Sequence, residues 1–452
     1  MLKLTTGILT IFLCSFGMSQ ASELRYHPNH LFIKMKPGTP LAESSLITKS
    51  KRLFGDLYLV KTSSADQLSS QLQQDKGIEY VQKDFFAGKR DMPKHEVLEN
   101  EAHTSFKKIM NDFSNGFNDP EVGRLWAFNS TSGMSVLSAY ESLPNYSPEE
   151  VIVAVVDTGV DHNHEDLKDV MWVNEKEIPG NKIDDDNNGY IDDIHGINTL
   201  VRDAQGLATM NTMASHWHGT HVAGTIAASQ NNGLGIAGVA SNVKIMAIRT
   251  VPDNADELDS DIVEGFLYAA KMGAKVINCS FGKTVNEGGM VVRDTMNQIS
   301  KKGVLVVVSA GNDSMGPFSW HNNDISPKYP ASFDSQNMIV IASTTSTGSL
   351  SGFSNIGPVT VDIASPGSSI YSTLNGNKYG MASGTSMAAP NASGVVAMVM
   401  GYFPEFTNTT VKKIIMDSTN RDENYLGKIL TGGRVNLKSA LNLAMNRSKP
   451  KK

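Results

Sequence analysis

The chain has 452 residues, of which 40% are hydrophobic and 19% charged, so it can bury a large core and favours more than one globular domain. Its formal net charge of -6 at pH 7 supplies no basic field for nucleic acid, and we exclude that class of partner. With two cysteines, at most one internal disulfide is possible.

The N-terminus has the pattern of a secretory signal peptide. Lys3 supplies a positive charge, residues 7–18 form an apolar run too short to span a bilayer, and a small-x-small cleavage site ends at Ala21. A retained anchor is the alternative, which the interrupted run disfavours. We expect residues 1–21 to be removed and the protein to be secreted without a stable membrane anchor. Cys279 would then be the remaining cysteine, without an internal disulfide.

Residues 22–88 are expected to form a small α+β unit, because alternating apolar residues and one stretch of helical spacing follow each other closely. Residues 89–117 are polar and charged without a sustained apolar period, as is typical of a linker that proteases can cut. The predicted elements of the small unit are strands at 31–35, 57–60 and 78–86 and a helix at 64–74.

Residues 118–447 alternate between apolar strands and helical stretches, followed by a basic tail at 448–452. Near-continuous apolar runs are typical of buried parallel strands, so this part predicts a doubly wound α/β fold with a mostly parallel sheet and helices on both faces. Ligands of such folds bind at the carboxyl ends of the strands. The predicted strands are 151–156, 243–248, 276–279, 304–308 and 338–341, and the predicted helices are 220–229, 256–272, 289–302 and 386–402.

The stretch 384–390 predicts a nucleophile at the start of a helix. Gly384 permits a tight turn, Ser386 would present its hydroxyl outward, and Pro390 would be tolerated within the first turn. Free N–H groups at that helix end would face developing negative charge. An ordinary helix cap followed by a small-residue packing face is the alternative.

Two further residues stand at element ends. Asp157 follows a predicted strand in Asp-Thr-Gly, a sequence also found in aspartic proteases. That mechanism needs two such carboxylates, and the chain has one copy, although a dimer could supply the second. His218 begins His-Gly-Thr-His at a helix start and is interpreted as a general base. A zinc site with His216 and His221 is the alternative, although it lacks the Glu of a His-Glu-x-x-His helix.

Asn312 ends Ser309-Ala-Gly-Asn312, after another predicted parallel strand. Its amide could donate a hydrogen bond to an oxyanion, together with the backbone N–H of Ser386. Taken without the other motifs, it would be an ordinary residue between a strand and a loop.

These four motifs, in the order Asp157, His218, Asn312, Ser386, resemble the subtilisin family of serine endopeptidases. The resemblance covers about residues 120–445. It implies that Asp157 orients His218, that His218 takes the proton of Ser386, that Ser386 forms an acyl-enzyme, and that Asn312 stabilises the oxyanion.

The resemblance also implies a substrate cleft and an inhibitor. The 22–88 unit resembles the pro-domain that inhibits such enzymes and is removed by self-cleavage. Tyr329-Pro330 matches a cis-proline of the family, and a normal trans turn is the alternative. The sequence departs from familiar members at Cys279, which we interpret as a buried small residue, and at Asp313, which we expect to favour basic substrate side chains. Extended protein or peptide substrates would add a strand beside two segments that wall the first specificity pocket. Those segments are Ser280, Phe281 and Gly282, and Ser309, Ala310 and Gly311.

The loop 183–193 crowds carboxylates and amides around a glycine turn, which suits Ca²⁺. It is not an EF-hand, because the twelfth position counted from Asp184 is His195; a solvated acidic loop is the alternative. Asp166 with Asn232 matches a second calcium site of the family, and a simple Gly-Asn turn is the alternative there. The expected ligands of the loop are Asp184, Asp186, Asn188, Asp192 and Asp193.

The sequence thus predicts a secreted, calcium-stabilised, monomeric serine endopeptidase made as a self-processing precursor. An inactive relative that serves as a calcium-binding module is the alternative from another functional class.

Overall fold

The structure is a computed structural model that describes residues 26–86, 116–202, 208–284, 286, 289–316 and 319–448. The predicted signal peptide, nearly all of the predicted linker and the last four residues of the tail lie outside these ranges. Within them, no helix is both long and apolar enough to cross a membrane.

Residues 26–86 form the small α+β unit. Its strands lie in the order β2-β3-β1-β4, all in antiparallel pairs, and one helix packs on the face formed by Leu31, Ile33 and Met35. The helix begins after Ser64, whose hydroxyl accepts a hydrogen bond from the N–H of Gln67. The elements are β1 Tyr26–Met35, β2 Ile47–Phe54, β3 Leu57–Thr62, α1 Ala65–Leu72 and β4 Ile78–Phe85.

The larger unit is built on a sheet that has ten strands within the described ranges, in the order β15-β16-β12-β11-β10-β9-β5-β8-β6-β7. From β12 to β6 every pair is parallel, which confirms the predicted fold class. A separate hairpin pairs β13 with β14. The strands are β5 Val151–Asp157, β6 Gly196–Arg202, β7 Ala208–Thr209, β8 Val243–Arg249, β9 Val276–Cys279, β10 Leu305–Ser309, β11 Met338–Thr344, β12 Ile363–Pro366, β13 Ile370–Leu374, β14 Lys378–Ala382, β15 Asn420–Arg421 and β16 Gly433–Arg434.

Helices cover both faces of this sheet, each over its own apolar cluster. One cluster contains the buried residues of α3 and α6, and the other contains those of α4 and α5. The four predicted helices are confirmed to within a few residues, whereas α2, α7 and α8 were not predicted. The helices are α2 Val136–Tyr140, α3 His218–Ala227, α4 Asp259–Lys271, α5 Val291–Ser300, α6 Thr385–Tyr402, α7 Asn408–Asp417 and α8 Leu437–Ser448.

Strand order positions the candidate site. Because β10, β9 and β5 are adjacent and parallel, their carboxyl ends meet at one edge of the sheet. Asp157 ends β5 and Cys279 ends β9, while Ser309 ends β10. The motifs singled out in the sequence therefore converge on this edge.

The small unit lies against α4 and α5, and its strand β4 supplies groups that the two helices lack at their N-termini. The carboxylate of Asp84 accepts the N–H of Ser260 at 2.9 Å in the first turn of α4. The side-chain oxygen of Gln82 accepts the N–H groups of Met290 at 2.6 Å and Val291 at 2.9 Å at the start of α5. Phe32 of β1 belongs to the same apolar cluster as these helices. The two units thus share one apolar cluster, while the small unit also has a cluster of its own.

Candidate active site

A buried carboxylate and imidazole form the centre of the site. Asp157 Oδ1 lies 2.7 Å from His218 Nδ1, and the residues are 1% and 0% exposed. The N–H of Thr158 donates to the same oxygen at 2.7 Å. Gly219 makes this approach possible, because a side chain there would collide with the carbonyl oxygen of Gly159. The carboxylate can therefore hold the imidazole in one orientation with Nε2 directed elsewhere.

Ser386 is the second residue of α6 and is 2% exposed. Its hydroxyl donates to the carbonyl oxygen of Ser280 at 3.0 Å, and the Ser280 hydroxyl donates to the Ser386 carbonyl at 2.8 Å. Pro390 explains the second bond: it has no N–H to donate to the carbonyl four residues earlier. The expectation that Pro390 lies in the first turn was wrong, since α6 begins at Thr385 and Pro390 is its sixth residue.

His218 Nε2 is buried and makes no hydrogen bond to any residue in the described ranges. The Ser386 hydroxyl is in the rotamer that reaches Ser280, so the hydrogen bond of a serine–histidine pair is not formed in this state. Such bonds are often formed only when substrate is bound. An unpaired buried imidazole nitrogen is costly, and a hydroxyl donor is the natural partner for it.

Asn312 is anchored to the start of α6 through its oxygen. Oδ1 accepts the backbone N–H of Thr385 at 2.8 Å and the Thr385 hydroxyl at 2.9 Å. The same hydroxyl accepts the N–H of Gly311 at 3.1 Å. Asn312 is an exposed residue, and because its oxygen is committed to α6, its amide nitrogen is the group that is available as a donor.

The two predicted substrate segments, 280–282 and 309–311, flank Ser386 at the ends of β9 and β10. The Tyr329–Pro330 peptide bond is cis, as the resemblance implied, and residue 329 pairs with Lys283 in an antiparallel bridge. Cys279 is 0% exposed, and burial together with Glu257 and Asp157 raises the pKa of its thiol well above the usual value. Cys279 is therefore a buried small residue.

Asp313 does not offer a free negative charge. Lys328 Nζ lies 3.0 Å from its Oδ1, and the Asn355 amide donates to its Oδ2 at 2.8 Å. Burial raises the pKa of Asp313, but Lys328 and Asn355 outweigh burial and hold it below its usual range. This compensation of its charge argues against the expectation that Asp313 favours basic substrates.

The three histidines of the zinc alternative have separate partners. His218 binds Asp157, and His221 Nε2 lies 2.9 Å from the carbonyl oxygen of Ile370. His216 Nδ1 accepts the backbone N–H of His218 at 3.2 Å. The rings do not converge on a common point, which argues against a shared metal.

The acidic loop brings together the carboxylates of Glu177, Asp184 and Asp186, with ligand oxygens within 4.8 Å of one another. Glu177 is 5% exposed, and this cluster of hard oxygens fits Ca²⁺. Asp192 lies outside the cluster and accepts N–H groups of the loop backbone. Asp193 bonds instead to the side chains of Asn174, Asn188 and Tyr268, and burial raises the pKa of Asp193.

At the second predicted calcium site, Asp166 and Asn232 are in contact. The Asn232 amide donates to Asp166 Oδ1 at 2.8 Å, while Ile236 N–H and the Tyr379 hydroxyl donate to Oδ2 at 3.0 and 3.1 Å. Burial raises the pKa of Asp166. Protein donors thus occupy both oxygens of Asp166, as they also do at Glu177 of the acidic loop. What distinguishes the acidic loop is that three carboxylates meet there.

Four residues of the site were missed in the sequence. Glu177 precedes the acidic loop without regular spacing, and Lys328 was overlooked although it directly precedes the singled-out Tyr329-Pro330. Thr385 was read as part of a helix start and not as the anchor of Asn312. No sequence motif pointed to Asn355, because its importance comes from contacts with residues far away in sequence. One of them is the carbonyl of Ala310, which accepts the Asn355 amide at 3.2 Å.

Comparison with known proteins agrees with this geometry. The model of the Subtilase family matches residues 149–436. Subtilisin-like protease 1 of Plasmodium berghei is 30% identical over 357 residues, which are 76% of this chain and 58% of that protein. An extracellular protease of Xanthomonas campestris pv. campestris is 31% identical over 351 residues, or 73% and 57%. The chain thus spans somewhat over half the length of these relatives.

Solved structures give the same result. A protease of Pseudoalteromonas arctica matches with a TM-score of 0.56 and 28% identity over 73% of this chain and 99% of that one. Fervidolysin from Fervidobacterium pennivorans, described as a keratinolytic enzyme related to subtilisin, matches with a TM-score of 0.68 over 93% of this chain and 62% of that one. At 24% identity, fervidolysin supports the fold alone.

Proposed function

This chain belongs to the subtilase family, and from that we propose that it is a secreted serine endopeptidase, made as a precursor whose 22–88 unit inhibits it until self-cleavage. The observation that carries the proposal is the buried pair of Asp157 and His218, 2.7 Å apart, at the same edge of the sheet as Ser386. If His218 served only for packing, nothing would require its buried Nε2 to lack a hydrogen-bond partner.

In the proposed reaction, the Ser386 hydroxyl turns to His218 Nε2, loses its proton to it and attacks the peptide carbonyl carbon. Asp157 stabilises the resulting imidazolium. Asn312 Nδ2 and the N–H at Ser386 donate to the oxyanion. The imidazolium then protonates the leaving amine as the C–N bond breaks, and water hydrolyses the acyl-enzyme by the same proton route.

Inhibition by the small unit is supported by where that unit ends. The buried Lys283, next to the 280–282 segment, donates to the carbonyl oxygen of Phe85 at 2.9 Å. The chain beyond Phe86 therefore begins beside one wall of the proposed cleft. On this basis the proposed self-cleavage point lies after the small unit, between about residues 88 and 119.

Calcium is proposed for the acidic loop, held by Glu177, Asp184 and Asp186 with amide and backbone oxygens completing its shell. Its role would be structural, because the loop is bonded to Tyr268 and Lys271 of α4, a helix that carries none of the proposed catalytic residues. Secretion is supported by the predicted signal peptide and by a relative named as an extracellular protease.

Casein hydrolysis by the purified full-length chain and by Ser386→Ala, with calcium present, tests the proposal. We expect the native chain to cleave casein and to shorten itself on a gel, while Ser386→Ala stays inert and at full length. Equal behaviour of the two would overturn the assignment of Ser386. Complete inactivity of the native chain, with no labelling by a serine-directed phosphonate, would favour a calcium-binding module.

A further inference from the structure

The two segments that wall the proposed specificity pocket are bridged by a pair of charged side chains. The Lys328 side chain runs beside Gly282, where an added Cβ would lie 3.7 Å from its Cγ. The Asp313 carboxylate lies beside Gly311, where an added Cβ would lie 3.1 Å from Oδ2. Lys328 Nζ meets Asp313 Oδ1 at 3.0 Å, so the ion pair joins one wall to the other.

The two partners of this ion pair are not equally satisfied. Both oxygens of Asp313 are used, Oδ1 by Lys328 and Oδ2 by the Asn355 amide, and the N–H of Asp313 donates to Asn355 Oδ1 at 2.7 Å. Asn355 is itself fixed by the carbonyl of Ala310 and by Asn323. Each carboxylate oxygen of Asp313 thus already accepts one hydrogen bond, and its backbone is fixed by Asn355, so the carboxylate is held in place for Lys328.

Lys328 has donors to spare. An ammonium group has three N–H bonds, and within the described part of the chain Nζ makes one hydrogen bond, to Asp313. Its side chain is 15% exposed, against 36% for Asp313, so the cation is the more enclosed member of the pair. What the pair still offers to an incoming group is donor capacity with a positive charge.

We propose that Lys328, held across the pocket by Asp313, selects substrates with an acceptor side chain, Glu or Gln, on the acyl side of the scissile bond, and rejects Lys and Arg there. This inference rests on the proposed function and names the substrate class of the same site. An acidic side chain would meet spare N–H donors, whereas a basic one would meet a like charge and a carboxylate that is already occupied.

The test uses peptide p-nitroanilides that are identical except for Glu, Gln, Leu or Lys as the residue on the acyl side. The measured quantity is the ratio of kcat/KM for Glu to that for Lys with one enzyme, so that general damage to a variant cancels. For the native chain we expect this ratio to be about ten or higher. Lys328→Met keeps the stem beside Gly282 but removes the charge, and it should lower the ratio about a hundredfold by freeing Asp313.

Asp313→Asn is the opposite change and should raise the ratio about tenfold. Lys413→Met is the matched control: it removes a lysine that pairs with Asp417 on α7 and should leave the ratio as in the native chain. A native ratio of one or less, or a ratio that Lys328→Met does not lower, overturns the specificity inference alone. Failure of the native chain to cleave casein and all four peptides overturns the proposed function as well.

Discussion

The hydroxyl of Thr385 joins three parts of the site. It donates to Asn312 Oδ1 and accepts the N–H of Gly311, while the backbone N–H of the same residue also bonds to Asn312. Thr385 is 0% exposed, so water does not compete for these bonds. The position of the proposed oxyanion donor therefore depends on a residue that does not touch the substrate carbonyl.

We expect Thr385→Val, which has nearly the same shape, to lower kcat about tenfold with a smaller change in KM. The physical reason is that Asn312 keeps one of its two anchors and its amide becomes less well placed. Thr385→Ser retains the hydroxyl and should stay within about twofold of the native rate. Equal losses for the Val and Ser variants would show that the methyl group matters and the anchor does not.

Ser280 is a second single residue whose contacts matter to the site. It forms a reciprocal pair with Ser386: the Ser280 hydroxyl donates to the carbonyl that Pro390 leaves free, and the Ser280 carbonyl accepts the hydroxyl of Ser386, the proposed nucleophile. The sequence motif contains both Ser386 and Pro390, but their link through Ser280 needs the sheet to bring residues 106 positions apart together. Such long-range contacts are why motif residues such as Ser386 could be named from sequence, while their hydrogen bonds and partners such as Asn355 could not.

At the level of elements, β4 provides the missing acceptors of two helices in the larger unit. Asp84, 0% exposed, bonds to the first turn of α4, where a carboxylate is favoured by the free N–H groups and the helix dipole. Gln82 does the same for α5 through its amide oxygen. The small unit therefore docks through directional hydrogen bonds as well as through apolar contacts.

Asp84→Ala should expose the start of α4. In a Ser386→Ala chain, which cannot digest itself, we expect amide hydrogen exchange in residues 259–262 to become about fivefold faster, the equivalent of losing a cap of about 1 kcal/mol. Asp66→Ala is the control, because Asp66 bonds to Tyr26 and Lys83 within the small unit. Comparable acceleration in both variants would mean general loosening and would contradict a capping role.

Helix α4 also carries a carboxylate with an unusual proton affinity. Burial, opposed by Arg202, raises the pKa of Asp261 to about 7 from an ordinary 3.8. Glu264 binds the same guanidinium, yet its pKa is lowered: burial raises it, but Arg202 and Lys51 outweigh burial. Arg202 is 2.9 Å from Asp261 and 2.7 Å from Glu264.

Since the pKa of Asp261 is higher in the folded protein, its stabilising contribution is complete below pH 3.8 and is lost as the pH rises through about 7. Asp261→Asn should remove this loss, which amounts to at most about 4 kcal/mol. Urea unfolding of the Ser386→Ala chain at pH 5 and pH 8 measures it, with the exposed Asp169→Asn as control. A stability difference between the two pH values that Asp261→Asn leaves unchanged would contradict the assignment.

The strands illustrate how much of the secondary structure could be predicted from the sequence. Buried parallel strands such as β5 and β10 are recognisable by their continuous apolar runs, and their predicted bounds were correct to within a residue or two. Strand β2 was missed because it is an edge strand whose middle residues are polar and exposed. Strand β12 begins with only two apolar residues before Ser365 and Pro366, and β16 has two residues in all, so neither forms a recognisable apolar run.

For the molecule as a whole, the question is what stabilises a chain whose one described cysteine, Cys279, is a free and buried thiol. The acidic loop provides an answer if it binds Ca²⁺. Its carboxylates repel one another, and a cation that binds only the folded form stabilises that form by mass action. Glu177 is hydrogen-bonded to this loop, because its carboxylate accepts the N–H groups of residues 185, 186 and 192.

Removing calcium from the Ser386→Ala chain with EDTA should lower Tm by about 10 °C. Glu177→Gln should reduce this calcium-dependent shift severalfold, because it removes a buried negative ligand. Glu175→Gln, an exposed neighbour, should retain the full shift. A Tm that is insensitive to EDTA, or equal shifts in both variants, would show that Glu177 holds no ion.

The contact between the two units has a consequence for how this sequence can change over time. The side chains of Gln82 and Asp84 cap the N-termini of helices that lie more than 170 positions further along the chain. A substitution at the start of α4 or α5 therefore alters the fit of β4, and the reverse is equally true. In a randomised library selected for secreted activity, accepted changes at residues 82 and 84 should co-vary with changes at residues 259, 260 and 290. The small unit and the larger unit would then inherit their fit as one unit of selection, encoded in two distant stretches.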